Sequence, residues 1–509
     1  MNKIYFYITV FFVIGYANVG TSQSKMVGIC GCTAEEQEQI KLRMLENRET
    51  FKNQTILRPE SITYIPITYH LVAKSDGTGR IALRRVFENL CAINKIYATQ
   101  NLGFYLKEVK SPNNTSVYEN PTGALGAQTI KNWRTQNPNS VNIFCASIAN
   151  PAEPGVLAFY NPNGDYIVTE NNQVSSNGTT LAHELGHFFS LAHTFFGWEG
   201  NTYNCSLPTP TVTPSGVLVE YVSRTKMFNN QLLCKVAADG FCDTQADYNL
   251  GFGWPSSAGC VYSGCAKDPD NVPLDPDEKN IMSYFLSCLE YFSEEQKEAI
   301  LLDYLSSKRS SLRTISYTTK PDITGTLNYL TPSKNQTVSG YNSVLLSWEP
   351  MPNAESYLLE IAENSALSLN SRAFLLKRTD TTFTDLKKNT NYYWRVYPMN
   401  QNSFCSSGAT INFRTPSFGV AIQETAAEKL KISFLTSSNN AAQLYLQSSS
   451  TGHAKLIIQN IVGATLKNSN VDLDLKNQII DIENCVPGVY TYSIQQENEV
   501  LKIGKLIIQ

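Results

Sequence analysis

Apolar positions change their spacing along the chain, and each change predicts a different element. Residues 4–14 (IYFYITVFFVI) are continuously apolar behind Lys3, with small residues after them in NVGTSQ. That run is too short to span a bilayer and reads as an export signal, 1–22, cut after Ser22 to leave Gln23. Residues 33–48 (TAEEQEQIKLRMLENR) are charged and helix-prone, and NQT loosens the chain behind them, so 23–58 reads as a pro-segment. From Tyr64 the run YIPITYHLV predicts a strand, closed by a turn at Asp76-Gly77-Thr78-Gly79. ALRRVFENLCAINKIYA then predicts a helix, FYLKEV a strand, 129–134 a second helix and NIFCASI another strand. This α/β layer runs directly into TTLAHELGHFFSLAHTF, residues 179–195.

After Phe195 periodicity is lost to about residue 280, in a stretch rich in Gly, Pro, Asn and Cys; irregular regions of that length are usually functional or stapled. SEEQKEAILLDYLSSKR predicts an amphipathic helix that closes a unit spanning 59–315. Short alternating strands follow from about 326: VLLSWEP, SYLLEIAE, TTFTDL, NYYWRVYP and INFRT, with turn residues between them. Residues 417–509 are again all-β and poor in aromatics.

At 509 residues the chain is too long for one core. A net charge of −3 gives no electrostatic case for nucleic acid as a partner. Beyond the export signal no stretch is long and apolar enough for a transmembrane helix. Twelve cysteines in an exported chain imply disulfides, with six of them clustered between Cys205 and Cys288. The isolated cysteines Cys91, Cys145, Cys405 and Cys485 read more readily as buried thiols.

The two all-β stretches carry resemblances. Trp348, Tyr357 and Leu386 ahead of Tyr393-Trp394-Arg395-Val396 resemble a fibronectin type III module over 326–416. Pro487-Gly488-Val489-Tyr490 and the terminal Lys505-Leu506-Ile507 resemble the C-terminal sorting domain of the type IX secretion route over 417–509. That resemblance implies export across the inner and outer membranes to the medium or cell surface, with the secretion machinery as a partner.

Three of the five histidines fall within eleven positions: His183, His187 and His193. His183 and His187 are four apart, so on a helix both imidazoles leave one face and reach one ion at about 2.0–2.1 Å, the zinc–imidazole distance. Glu184 points beside that ion, where a carboxylate can take a proton from water. His193 lies six residues on, about 9 Å along the axis if the helix continued. The chain must therefore leave the helix and bend back near Ser190.

HELGHFFSLAHTF resembles the zinc-binding stretch of the metzincins, with Ser190 where glycine is usual. A serine at positive φ costs about 1 kcal/mol relative to glycine. Within metzincins the resemblance is to the pappalysins, over roughly 60–305. It rests on Thr194-Phe195, on Phe241-Cys242-Asp243-Thr244, and on Asn280-Ile281-Met282-Ser283-Tyr284 as a methionine turn followed by Cys288. It implies an α+β metzincin-like catalytic domain, with a twisted sheet, an active-site helix and an irregular C-terminal subdomain. Two all-β sandwich domains then complete the chain.

By the same resemblance zinc is held by His183, His187 and His193, Glu184 is the general base and Met282 is a structural floor. Tyr284 binds the oxyanion, and polypeptides are the substrates. Calcium is implied around Asp243 and Thr244. The implied bridges are Cys205–Cys260, Cys265–Cys288 and Cys234–Cys242. Arginine-selective pappalysins carry an acid near the cysteine after the methionine turn, whereas Phe285-Leu286-Ser287 stands here without one. Pappalysin-like precursors can hold a leader cysteine against the zinc. Cys30 precedes glycine and Cys32 precedes threonine; Cys30 is favoured for this role, and a Cys30–Cys32 disulfide is the plainer reading. Cleavage between Asn47 and Arg58 would release the leader. The rival from another class is a surface adhesin with a vestigial zinc domain, against which the intact His183, Glu184, His187 and His193 argue.

Overall fold

The long near-continuous apolar run at Tyr64 becomes the middle of a sheet, because a strand flanked by parallel neighbours is buried on both faces. The computed structural model describes residues 29–508 except 202, 316, 407, 418–429, 438–440, 449, 461–463, 483–487 and 497–498. The export signal, Cys485 and Pro487 lie outside the described residues. The sheet contains β1 (Ile29–Cys30), β2 (Thr63–Leu71), β3 (Leu102–Lys110), β4 (Val141–Ala146), β5 (Val156–Asn161) and β6 (Tyr166–Glu170), in the order β1-β5-β6-β4-β2-β3. Its pairings are parallel except the β5–β6 hairpin.

On β2, Ile65, Ile67 and Tyr69 bury one face while Thr68 and His70 bury the other. His70 is a core residue: its ring stacks 4.1 Å from Phe144, and Nε2 meets Asn142 Oδ1 at 2.9 Å. The helices are α1 (Ala34–Phe51), α2 (Leu83–Tyr97), α3 (Thr115–Glu119), α4 (Ala124–Thr135), α5 (Thr179–Phe188) and α6 (Glu294–Leu305). The apolar face of α2 presents Val86, Phe87, Leu90, Ile93 and Tyr97, and the Tyr97 hydroxyl donates to Ala182 O of α5 at 3.1 Å. Capping boxes open α1 at Thr33/Glu36 and α6 at Ser293/Gln296.

Several elements differ from the sequence reading. Helix α4 is twice the predicted length, starting from Gly123. The β5–β6 hairpin and α3 were not anticipated, although VLAFY and YIVTE flank the turn residues NPNGD. Within 23–58, β1 and α1 form, and β1 joins the edge of the sheet.

Two bridges also pair differently from the expectation. The structure joins Cys205–Cys265 and Cys260–Cys288, while Cys234–Cys242 forms as expected. Tyr203 and Thr209 hydroxyls both donate to Lys267 O, which brings Cys205 beside Cys265. Trp254 packs on Phe285 and donates to Gly259 O, which leaves Cys260 for Cys288. Cys91 and Cys405, expected as thiols, form a disulfide across 314 residues, while Cys145 is a buried free thiol. The pairing of Cys91 needs proximity that no local spacing encodes.

The described residues up to Lys334, with Leu346–Thr381 and Tyr392–Asn412, form one compact unit; Asn335–Leu345, Thr382–Asn391 and the described residues from Phe413 on form a second. In the first, the strand Ser356–Ala362 pairs antiparallel with Arg372–Leu376 and Asn391–Met399. Trp348 and Trp394 are fully buried there, 6.3 Å apart. Leu358, Tyr397, Met399 and Phe404 share one core with the six-stranded sheet. In the second, Leu430–Ser437, Ala441–Ser448 and Asn477–Ile482 make one antiparallel sheet. Thr465–Asp472, His453–Asn460, Gly488–Gln496 and Glu499–Ile508 make another. Leu444, Leu446, Leu456, Ile458 and Ile494 bury its core. Among the described residues no helix is long and apolar enough to cross a membrane.

Candidate metal and catalytic site

Helix α5 puts His183 and His187 one turn apart on one face, their rings 4.7 Å apart. It then stops. Ser190 N donates to His187 O and Leu191 N to Gly186 O, both at 3.0 Å, and Ser190 takes φ 65°. This is a Schellman end with serine in the left-handed position that glycine usually fills. The chain reverses there, and His193 Nε2 comes within 3.2 Å of His187 Nε2.

Each ring is held from behind. His183 Nδ1 donates to Ile281 O and His187 Nδ1 to Leu191 O, both at 2.7 Å; His193 Nδ1 meets Glu199 Oε1 at 3.4 Å. Protons on Nδ1 leave all three Nε2 lone pairs facing inward. Burial pushes His183 down to about 4, and holds His187 and His193 well below the ordinary imidazole value. The rings are therefore neutral. His183 Nε2 is buried without a hydrogen-bond partner. Inward lone pairs at this spacing repel unless a cation sits among them, so the donor set fits a bound metal. One ligand atom from each histidine and the Cys30 sulfur lie within 4.8 Å of one another.

Around this cluster stand the other predicted residues. Glu184 is buried, and burial pushes its carboxyl up to about 8; its Oε2 lies 3.6 Å from Cys30 Sγ. Tyr284 places its ring 5.0 Å from His193 and donates its hydroxyl to Cys30 O at 3.3 Å. Met282 is fully buried beneath α5; a Cβ on Gly186 would stand 2.4 Å from its sulfur. Cys32 Sγ donates to Tyr160 O at 3.3 Å, lies within 4.8 Å of ligand atoms of Cys30, Glu184 and His187, and forms no disulfide with Cys30. A recess beside His183 and Glu184 is walled by Leu157, Thr180, Leu286 and Leu289.

Asp243 accepts from Ser293 Oγ at 2.8 Å and Glu295 N at 2.7 Å, anchoring the start of α6, while Thr244 Oγ1 donates to Asp239 Oδ1. These contacts do not support the calcium expected there.

Three contributors were missed in the sequence. Gln37 of α1 reaches the cluster, its Nε2 3.3 Å from His187 Nε2 and its Oε1 accepting from His193 N. Arg43 of α1 donates to His187 O and Phe188 O, capping α5, and pairs with buried Asp303 at 3.0 Å. Glu199 is the third. The capping box and the i, i+4 spacing of Ile40 and Met44 announce a helix, not the burial of its polar residues; Glu199 had only its place six residues after His193 as a signal.

Residues 151–285 match the peptidase family M43, described as pregnancy-associated plasma protein-A, and 426–509 match the secretion system C-terminal sorting domain. No curated protein matches the chain. Among solved structures, a Tannerella forsythia promirolysin mutant is similar at 16% identity, over 56% of this chain and 96% of that one, with a TM-score of 0.32. The chicken CNTN1 FN1–FN3 domains are similar at 10% identity, over 38% and 70%, with a TM-score of 0.16. The chain thus carries a pappalysin-family metallopeptidase domain and a type IX sorting domain, and it is exported, to be secreted or attached at the surface.

Proposed function

From a pappalysin-family peptidase domain on an exported chain, we propose a zinc endopeptidase that is made latent by its own leader. The observation that carries this reading is the convergence of His183, His187 and His193 with Glu184 beside them. Bound zinc supplies Lewis acidity at the scissile carbonyl and makes water a competent nucleophile near neutral pH. Glu184 accepts the proton of the attacking water and passes it to the leaving amine. Tyr284, its hydroxyl freed from Cys30 O, donates to the developing oxyanion. The recess of Leu157, Thr180, Leu286 and Leu289 takes the residue after the scissile bond. The domains follow as proposed from sequence, with 59–315 catalytic, 326–416 fibronectin-like and 417–509 for sorting.

In the latent chain Cys30 occupies the open side of the cluster while Gln37 and Arg43 hold α1 across it. Burial pushes the Cys30 thiol well up, so only a cation beside it favours the thiolate. Substituting Glu184→Ala in the processed enzyme tests the catalytic reading. Zinc content and fold are expected to stay, and turnover of a protein substrate to fall by at least a hundredfold. Turnover within tenfold of wild type would remove Glu184 from the mechanism.

A further inference from the structure

Two of the three histidines rest on backbone and the third does not. His183 and His187 donate Nδ1–H to the carbonyls of Ile281 and Leu191, whereas His193 faces the Glu199 side chain, with Oε1 at 3.4 Å. Glu199 Oε2 meanwhile accepts from Gly197 N at 2.7 Å. The Glu199 side chain is only 9% exposed, and among the described residues no lysine or arginine pairs with it. Lys41 acts on this carboxyl only through space, without pairing; the side-chain contact of Glu199 is the His193 ring, whose far side faces the cluster of ligand atoms.

We propose that Glu199 is a positioning residue for the metal: it accepts the His193 Nδ1 proton, so that the ring presents a bare and more basic Nε2 to the ion. The inference rests on the zinc reading above. His193 is the ligand that most needs such a partner. It lies beyond the end of α5, so no helix backbone sets its ring, and its chain direction depends on the turn at Ser190. A carboxylate behind an imidazole fixes the tautomer, orients the ring and raises its basicity. The Glu199 carboxylate does this with one oxygen and closes the turn at Gly197 with the other.

The two oxygens supply the test, because an amide has only one. In Glu199→Gln the oxygen keeps Gly197 N–H, and the NH2 faces His193 Nδ1. Nδ1 must then accept, and the ring proton moves to Nε2, where it blocks a metal. If Glu199 served the turn alone, Gln would replace it at no loss. The measurement is zinc content after dialysis of the full chain, together with the rate of zinc loss to a chromogenic chelator. Wild type, Glu199→Gln and Glu199→Ala are compared, with the melting temperature of each metal-free form. Both variants are expected to hold zinc about 10–100-fold more weakly, with Gln no better than Ala. Wild-type zinc affinity in Glu199→Gln overturns the proposal, whatever the metal-free stability of either variant. A wild-type chain that takes up no zinc overturns the zinc reading itself and this inference with it, an outcome distinct from a zinc-replete wild type beside an equally replete Gln variant.

Discussion

Gly186 shows how tightly single positions are set around the cluster. It faces Met282, and the missing side chain lets α5 settle onto the methionine turn, with the sulfur 2.4 Å from where a Cβ would stand. Met282 is fully buried, so its side chain or α5 must shift to admit a methyl group. Gly186→Ala is therefore expected to lower stability by about 1–3 kcal/mol through overpacking, read as a fall in the denaturant midpoint at unchanged slope. A midpoint at or above wild type would mean that the turn yields. Specificity is decided at the same scale. Leu286 lines the recess beside Glu184, while Glu290, the nearest acid along the chain, is exposed and tied to Lys279 at 2.8 Å. With no carboxylate in the wall other than Glu184, peptides carrying apolar or small residues after the scissile bond should be cleaved faster than those carrying arginine. A cleavage-site profile dominated by arginine at that position would contradict this.

Among the elements, α1 differs most from its sequence appearance. Its composition suggests a solvated helix, yet Gln37, Ile40, Lys41, Arg43, Met44 and Asn47 are all buried. Asp303 receives both Arg43 and Arg309, at 3.0 and 2.9 Å, and Asn47 donates to it at 2.9 Å, so the leader shares an ion-pair network with α6. Strand β1 lies on the edge of β5, which sets Cys30 among all three histidines, while Cys32 groups with Glu184 and His187. In unprocessed protein, Cys30→Ala is expected to raise peptidase activity at least tenfold, and Cys32→Ala to leave it low. Equal activity in unprocessed wild type and Cys30→Ala, with no response to a thiol reagent, would make the leader a folding aid or tether.

Across the whole molecule, the Cys91–Cys405 bridge ties α2 to the segment after the strand Asn391–Met399. Around it Phe87 stacks on Phe404, Tyr397 donates to Glu88 at 3.0 Å, and Leu106 N donates to Gln401 O at 2.9 Å. Glu360, almost fully buried, lies 3.4 Å from Arg84 and 3.5 Å from Arg395. These strands thus extend the core of the six-stranded sheet. A cross-link closing so long a loop stabilises by about 2–5 kcal/mol. Replacing both cysteines by alanine should lower the melting temperature by several degrees while zinc stays bound. An unchanged melting temperature would show that packing alone holds these strands.

The primary sequence determined the local chemistry. The i, i+4 pair His183 and His187, the early helix stop at Ser190 and the return of His193 follow from helix geometry and spacing alone. So do the central strand β2, the amphipathic α2 and the alternating strands of the C-terminal half, because their periodicity is local. Tertiary structure alone decided whatever depends on residues far apart in the chain. It brought Cys30 to the three histidines, placed Glu199 behind His193 and buried Arg43 against Asp303. It also matched Cys205 with Cys265, Cys260 with Cys288 and Cys91 with Cys405. A cysteine or a charge carries no periodic signal of its partner, and its pairing is set by which surfaces the folded chain brings within reach of one another.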